Sequence, residues 1–182
     1  MFTVPSIVYA WDNQLAYALA LVDDLSDQQM ILRPGGAMNH PAWILGHIGA
    51  YHPIVVDLLY GAPVTDVKDD PLYGFAGQGP LDQLEPYGTK KQIVERFATG
   101  HEKVAQALLA AKPADFQRPP SLERWAKAYP TVEFMLPDLL LHHESLHIGQ
   151  ISIWRRAAGL PAVKFPPRPI RAGLIPPRVE VK

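Results

Sequence analysis

The chain has 182 residues, 48% of them hydrophobic, which is enough apolar material for one well-buried core and a single domain. Its 17 Lys+Arg against 18 Asp+Glu give a net charge of −1, with no block of one sign, so nucleic acid is not an expected partner. There is no cysteine; disulfides, iron–sulfur clusters, thiolate zinc sites and a cysteine nucleophile are excluded, and any metal must be held by nitrogen and oxygen.

The first residues, Met1 to Ser6, lack the basic region of a secretory signal, and Asp12 interrupts the apolar stretch that follows. A cytoplasmic protein is expected. From about Ser6 to Val22, the residues Ile7, Trp11, Leu15, Leu19 and Val22 recur three or four apart, the stripe of an amphipathic first helix. Ser26 and Gln29 have the spacing of a capping box, and Pro34-Gly35-Gly36 ends that short turn. A second helix should open near Asn39–Pro41 and stop before Gly61, with a bend at Pro53. The stretch 35–56 has no Asp, Glu, Lys or Arg and is long enough to span a bilayer. It also carries Asn39, His40, Pro41, His47, His52 and Pro53, which favour a buried helix and no membrane association.

Residues 62–88 are rich in Gly, Pro and Asp without a sustained period, which predicts a long loop with a use, such as covering a pocket. Thr89 and Gln92 form another capping box, and Ile93, Phe97, Val104 and Leu108 continue as a third helix until Pro113. A connector runs through Arg118-Pro119-Pro120. The fourth helix is expected from about Thr131 to Ala158, kinked by Pro137 and stopped by Gly159 and Pro161. No internal repeat is visible. The expectation is an all-α four-helix bundle over 1–160, with a long loop after helix two. Residues 161–182, with six prolines, should form an extended Pro-rich tail packed on the bundle or on a partner subunit.

The chemistry-bearing pattern lies on helix four. In His143-Glu-Ser-Leu-His147 two imidazoles stand at i and i+4, on one face and about 6 Å apart, close enough to share an ion. Two facing core histidines would repel when protonated and need separate partners when neutral, whereas one cation satisfies both. Two ligands leave a divalent ion under-coordinated, and the third candidate is His47, in the middle of the apolar second helix, with Trp43 and Tyr51 a turn to either side. A lone histidine in an apolar helix is more often a satisfied core group. His142 lies about 100° round from His143, and His40, His52 and His101 have no partner at ligand spacing; these four read as caps, surface groups or pocket lining.

Three neutral histidines describe an open site, with remaining positions for water or substrate, and open sites are usually catalytic. Zinc, nickel or another late divalent ion suits imidazole. The implied reaction class is nucleophilic transfer or hydrolysis.

Asn39-His-Pro-Ala-Trp-Ile-Leu-Gly-His47-Ile48, His143-Glu-Ser-Leu-His147-Ile-Gly-Gln150-Ile151, Arg155-Arg156 and Gly159-Leu160-Pro161 resemble the motifs of the DinB-like metal-binding bundles. That family includes S-transferases of bacterial low-molecular-weight thiols. The resemblance covers Leu25–Pro161. It implies an up-down-down-up bundle, a His47/His143/His147 triad for one divalent metal, and a homodimer. Pro53, Pro137 and the Pro-rich tail depart from the pattern. With no cysteine in the chain, any thiol must be an exogenous small molecule.

HESLH also satisfies H-E-x-x-H of zinc metallopeptidases, where the Glu is the general base. The extended form fails, because Gln150 and Ile153 stand where it needs Gly and His, and the chain after His147 offers no further histidine. In the bundle reading Glu144 falls about 100° off the ligand face and supports a ligand or a neighbouring helix instead. A non-catalytic bundle, with a structural metal or a bound ligand, is the remaining alternative. If the site is catalytic, Tyr51, Gln150 and Trp154 are candidates for the wall of its substrate pocket, with core packing as the alternative for Trp154.

Overall fold

The computed structural model describes residues 3–75, 77–168, 171 and 174. All regular structure among them is helical, and no strand is present. Helix α1, Val4–Val22, opens on a Thr3–Ser6 capping box and buries Val8, Trp11, Ala18, Leu21 and Val22. The predicted Ser26–Gln29 box opens the single turn α2, Asp27–Met30, and Pro34–Gly36 follows as a 3-10 turn.

The predicted second helix is divided. Helix α3, Pro41–Gly49, begins with proline at its first position, and α4, Tyr51–Tyr60, ends on Gly61 in the left-handed region at φ 69°. Pro53 has no N–H for the carbonyl of Gly49, so the chain breaks at Ala50. Taken together, α3 and α4 (Pro41–Tyr60) make the one stretch among the described residues long and apolar enough to cross a membrane, and it is mostly buried within the protein.

Among its described residues the long loop has a single 3-10 turn, Val67–Asp69. Helix α5, Lys90–Ala110, is opened by the Thr89–Gln92 box, and its first N–H donates to Asp27 Oδ1 at 2.8 Å, tying α2 to it. The predicted connector holds two short helices, α6 (Pro113–Phe116) and α7 (Glu123–Ala128). Neither is long enough to show a helical period in sequence.

The fourth predicted helix contains three pieces: α8 (Val132–Pro137), a π-helical turn over Asp138–His143, and α9 (Glu144–Ala157). Pro137 cannot donate to the carbonyl of residue 133 and its ring crowds it, so the ladder widens where the kink was expected. Of the predicted tail, residues 161–168 run without helix or strand, Phe165 stacks on Tyr17 at 4.1 Å, and Leu174 is buried in the core. Residues 169–170, 172–173 and 175–182, with Pro169, Pro176 and Pro177, lie outside the described residues.

The long segments pack so that α1 and α3 each contact both α5 and α9, while α4 lies on α5. Two apolar clusters result. One gathers Val55, Leu58, Val104, Leu108, Met135 and Leu140. The other gathers Leu21, Ile44, Ile48, Phe97, Ile151 and Trp154. Each such fully buried side chain contributes roughly 1.5–3 kcal/mol relative to exposure, which is what holds α3 and α9 face to face. At the end of α9, Arg155, 1% exposed, donates to both carboxylate oxygens of Asp24 and to the carbonyl of Leu21.

Candidate metal centre

His47 lies in the last turn of α3, while His143 closes the π-helical turn and His147 follows one turn into α9. The packing of α3 on α9 brings the three rings together. Their centroids are 5.3 Å apart for His47–His143 and 4.7 Å for each of the other pairs. One ring nitrogen from each lies within 4.8 Å of the others, and His47 Nε2 is 3.3 Å from His143 Nε2. Two metal–nitrogen bonds of about 2.0–2.1 Å at a tetrahedral angle put their nitrogens about 3.3 Å apart, so His47 and His143 have the spacing of two nitrogens on one divalent ion, with His147 close by.

The far sides of two rings are already engaged. His47 Nδ1 donates to the carbonyl of Tyr73 at 3.1 Å, which leaves the lone pair on Nε2, facing the other histidines. His147 Nδ1 donates to Gln150 Oε1 at 3.3 Å, an oxygen that also accepts from Asn39 Nδ2. Burial, reinforced by His147, pushes His47 down to about 4. Burial, with repulsion from His147 and His47, brings His143 to about 4, and burial also lowers His147. All three are therefore neutral imidazoles at neutral pH, the form that binds metal.

The long loop is part of this construction. Asp70 Oδ1 accepts the backbone N–H groups of Leu72 and Tyr73, both at 2.8 Å. Trp43 Nε1 donates to the Leu72 carbonyl at 3.0 Å, and the Trp43 ring lies parallel to His47 at 4.7 Å. The loop therefore covers α3 and supplies the carbonyl that orients His47.

Of the three predicted wall residues, Tyr51 meets His47 and His143 edge-on and lines a cavity of about 190 Å³ beside His143. Gln150 contacts His147. Trp154 is placed elsewhere: it is fully buried, in the cluster with Ile44 and Ile151, and its N–H donates to the Leu32 carbonyl at 2.6 Å. The cavity's other walls include Arg124 and Trp125 of α7 and Asp138. Sequence reasoning missed the α7 pair; an aromatic beside an arginine inside a Pro-bounded connector was the only signal.

The remaining histidines divide. His40 caps α3, accepting from Trp43 N at 3.0 Å, and His142 is exposed on Asp138 Oδ1 at 2.8 Å. His52 lines a groove between α4 and α5. His101 departs from the reading as cap, surface or lining group. It is fully buried, paired with Asp12 at 2.9 Å and stacked on Trp11, because Asp12 brings an acceptor into the core that a helix-by-helix reading cannot place. Glu144 is 2% exposed and accepts the Trp11 indole N–H at 2.8 Å, supporting the neighbouring helix α1.

The family description that matches the chain is the DinB superfamily, over residues 10–151. No curated protein and no solved structure matches it. The matched stretch is most of the chain and contains His47, His143 and His147 with the helices that carry them; the chain belongs to the DinB superfamily.

Proposed function

We propose that this chain is a metal-dependent enzyme of the thiol S-transferase or hydrolase type, in which His47, His143 and His147 hold one divalent ion, zinc or nickel, in an open site. The observation that carries this reading is the convergence of three neutral imidazoles within 4.8 Å, two of them oriented from behind by oxygen acceptors. When bound, such an ion lowers the pKa of a coordinated water or thiol enough for the deprotonated nucleophile to exist near neutral pH.

The chain's own residues supply the rest. The Tyr73 carbonyl and Gln150 hold two rings in the tautomer that offers Nε2, and Trp43 covers one face of His47. The cavity bounded by Tyr51, Trp125 and His143 gives a small substrate a place beside the ligands. With no cysteine present, a thiol reactant is a small molecule from solution. The scaffold in this reading is a four-helix bundle of up-down-down-up topology, supported by the contacts of α1 and α3 with both α5 and α9, and the working unit is a homodimer.

The metallopeptidase alternative is disfavoured by Glu144, whose carboxylate is buried on Trp11 and so cannot act as a base on water at the histidines.

The test is elemental analysis of untagged protein beside its His47→Ala, His143→Ala and His142→Ala variants. About one divalent ion per chain is expected, lost in the first two variants and retained in the third. A His47→Ala protein that binds one equivalent with unchanged affinity overturns the triad. Thermal unfolding with and without chelator then separates an enzyme, folded without metal, from a structural site that melts on metal removal.

A further inference from the structure

The cavity beside His143 holds a positioned guanidinium that metal binding does not require. Helix α7 places Arg124 and Trp125 side by side on its wall. Arg124 Nε and Nη2 donate to the two oxygens of Asp66 at 2.6 and 2.7 Å. Asp66 is itself anchored, 8% exposed and accepting the backbone N–H of Lys68 at 3.0 Å. The guanidinium also lies over the Trp125 ring at 4.7 Å and the Phe75 ring at 5.3 Å. A two-point ion pair and two aromatic faces hold it in one orientation; Nη1 takes no part in the Asp66 pair, and the Tyr51 hydroxyl lies against the guanidinium on the same wall.

Arginine stays charged at any pH a protein survives, and its planar fork matches a carboxylate. The cavity's other charged wall group, Asp138, has both oxygens engaged, by the Tyr129 hydroxyl and by His142 Nδ1. Trp125, Met135 and Leu139 give the cavity an apolar side, and Tyr51, Phe75, Tyr129 and His143 complete the wall. The volume is about 190 Å³; a cavity of about 150 Å³ is enough for benzene. That size admits a single ring or a short chain and excludes a peptide.

We propose that this cavity is a subsite for a small carboxylic acid, its carboxylate on Arg124 and its apolar or aromatic body against Trp125, Met135 and Leu139, so that its far end reaches His143. The subsite deepens the metal-enzyme reading but depends on it only for what happens at that far end. Three neutral histidines would leave the charge of a divalent ion uncompensated, which further favours an anionic occupant.

The experiment is calorimetric titration of zinc-loaded and chelator-treated protein with benzoate and with its neutral isostere benzamide. Benzoate should bind about tenfold more tightly, the scale of one charge-assisted hydrogen bond, and the preference should shrink below about twofold in Arg124→Met. Because Arg124→Met strands the Asp66 carboxylate, the double variant Asp66→Asn/Arg124→Met is measured beside it, removing both partners and leaving no orphan charge. Loss of the preference in a folded double variant with unchanged zinc content supports the subsite. Equal binding of the two probes by the wild type, binding of neither, or a preference that survives the double substitution overturns it. Zinc content of the same samples decides the metal reading separately.

Discussion

The Nδ1 of His47 donates to the main-chain carbonyl of Tyr73 at 3.1 Å, joining a histidine of α3 to a loop residue 26 positions later. The loop reaches this place because α3 leaves room for it. A Cβ on Gly46 would stand 2.2 Å from the Tyr73 hydroxyl. Gly46→Ala should therefore push the Tyr73 ring away, loosen its carbonyl from His47 and weaken metal affinity by about 10-fold, at the lower end of what losing a ligand-orienting partner costs. Competition with a chromophoric chelator measures this. An unchanged affinity would show that the loop covers the ligand without positioning it.

The depressed pKa values carry a pH dependence. Unfolded histidine titrates near 6.5, whereas burial and mutual repulsion hold folded His47 and His143 at about 4. Between those values the unfolded chain binds more protons than the folded one, so stability rises with pH through the window and is lost as pH falls from about 6.5 toward 4. Melting curves of chelator-treated protein should show the midpoint dropping across that range. The slope should be shallower in His47→Ala, which removes one of the two groups. A midpoint independent of pH over the window would mean that the rings are solvated.

Glu144 separates a supporting role from a catalytic one. Its Oε2 accepts from Trp11 Nε1 at 2.8 Å inside the core. Glu144→Gln keeps an acceptor there, so fold, metal content and any turnover should persist. Glu144→Ala strands a buried indole N–H and should cost roughly 1–3 kcal/mol in denaturant unfolding. Loss of turnover in a stably folded, metal-loaded Glu144→Gln protein would restore the peptidase reading.

Arg171 is tied to α1 and α5. Its Nε and Nη2 donate to both oxygens of Asp12 at 2.7 and 2.9 Å, and Nη1 reaches Glu102. Burial works to raise the Asp12 carboxyl, but its bonds to His101 and Arg171 hold it below the usual carboxylate range. Arg171→Met leaves that buried carboxylate with His101 alone and should destabilise the protein by about 2 kcal/mol, less than a fully buried pair because Arg171 is partly exposed. Urea unfolding reads the loss, and Asp12→Asn/Arg171→Met should recover part of it.

By itself the sequence determined where the long helical segments begin and the pairing of His143 with His147 on one helical face, but not the break at Ala50, the short helices α6 and α7 or the π-helical turn that ends on His143. Capping boxes such as Thr89–Gln92, the proline at the start of α3 and the i,i+4 spacing of His143 and His147 are properties of neighbouring residues, and neighbours set backbone hydrogen bonding and side-chain direction. His47 could be named as a third candidate because it is a polar group in the middle of an apolar helix. Only the tertiary structure decided its partners. The Tyr73 carbonyl behind it, the Asp66–Arg124 pair beside the cavity and the Asp12–His101 pair in the core join positions 26, 58 and 89 residues apart. No local pattern encodes such pairs, because each exists only once apolar burial has packed the helices and brought the groups within hydrogen-bonding distance.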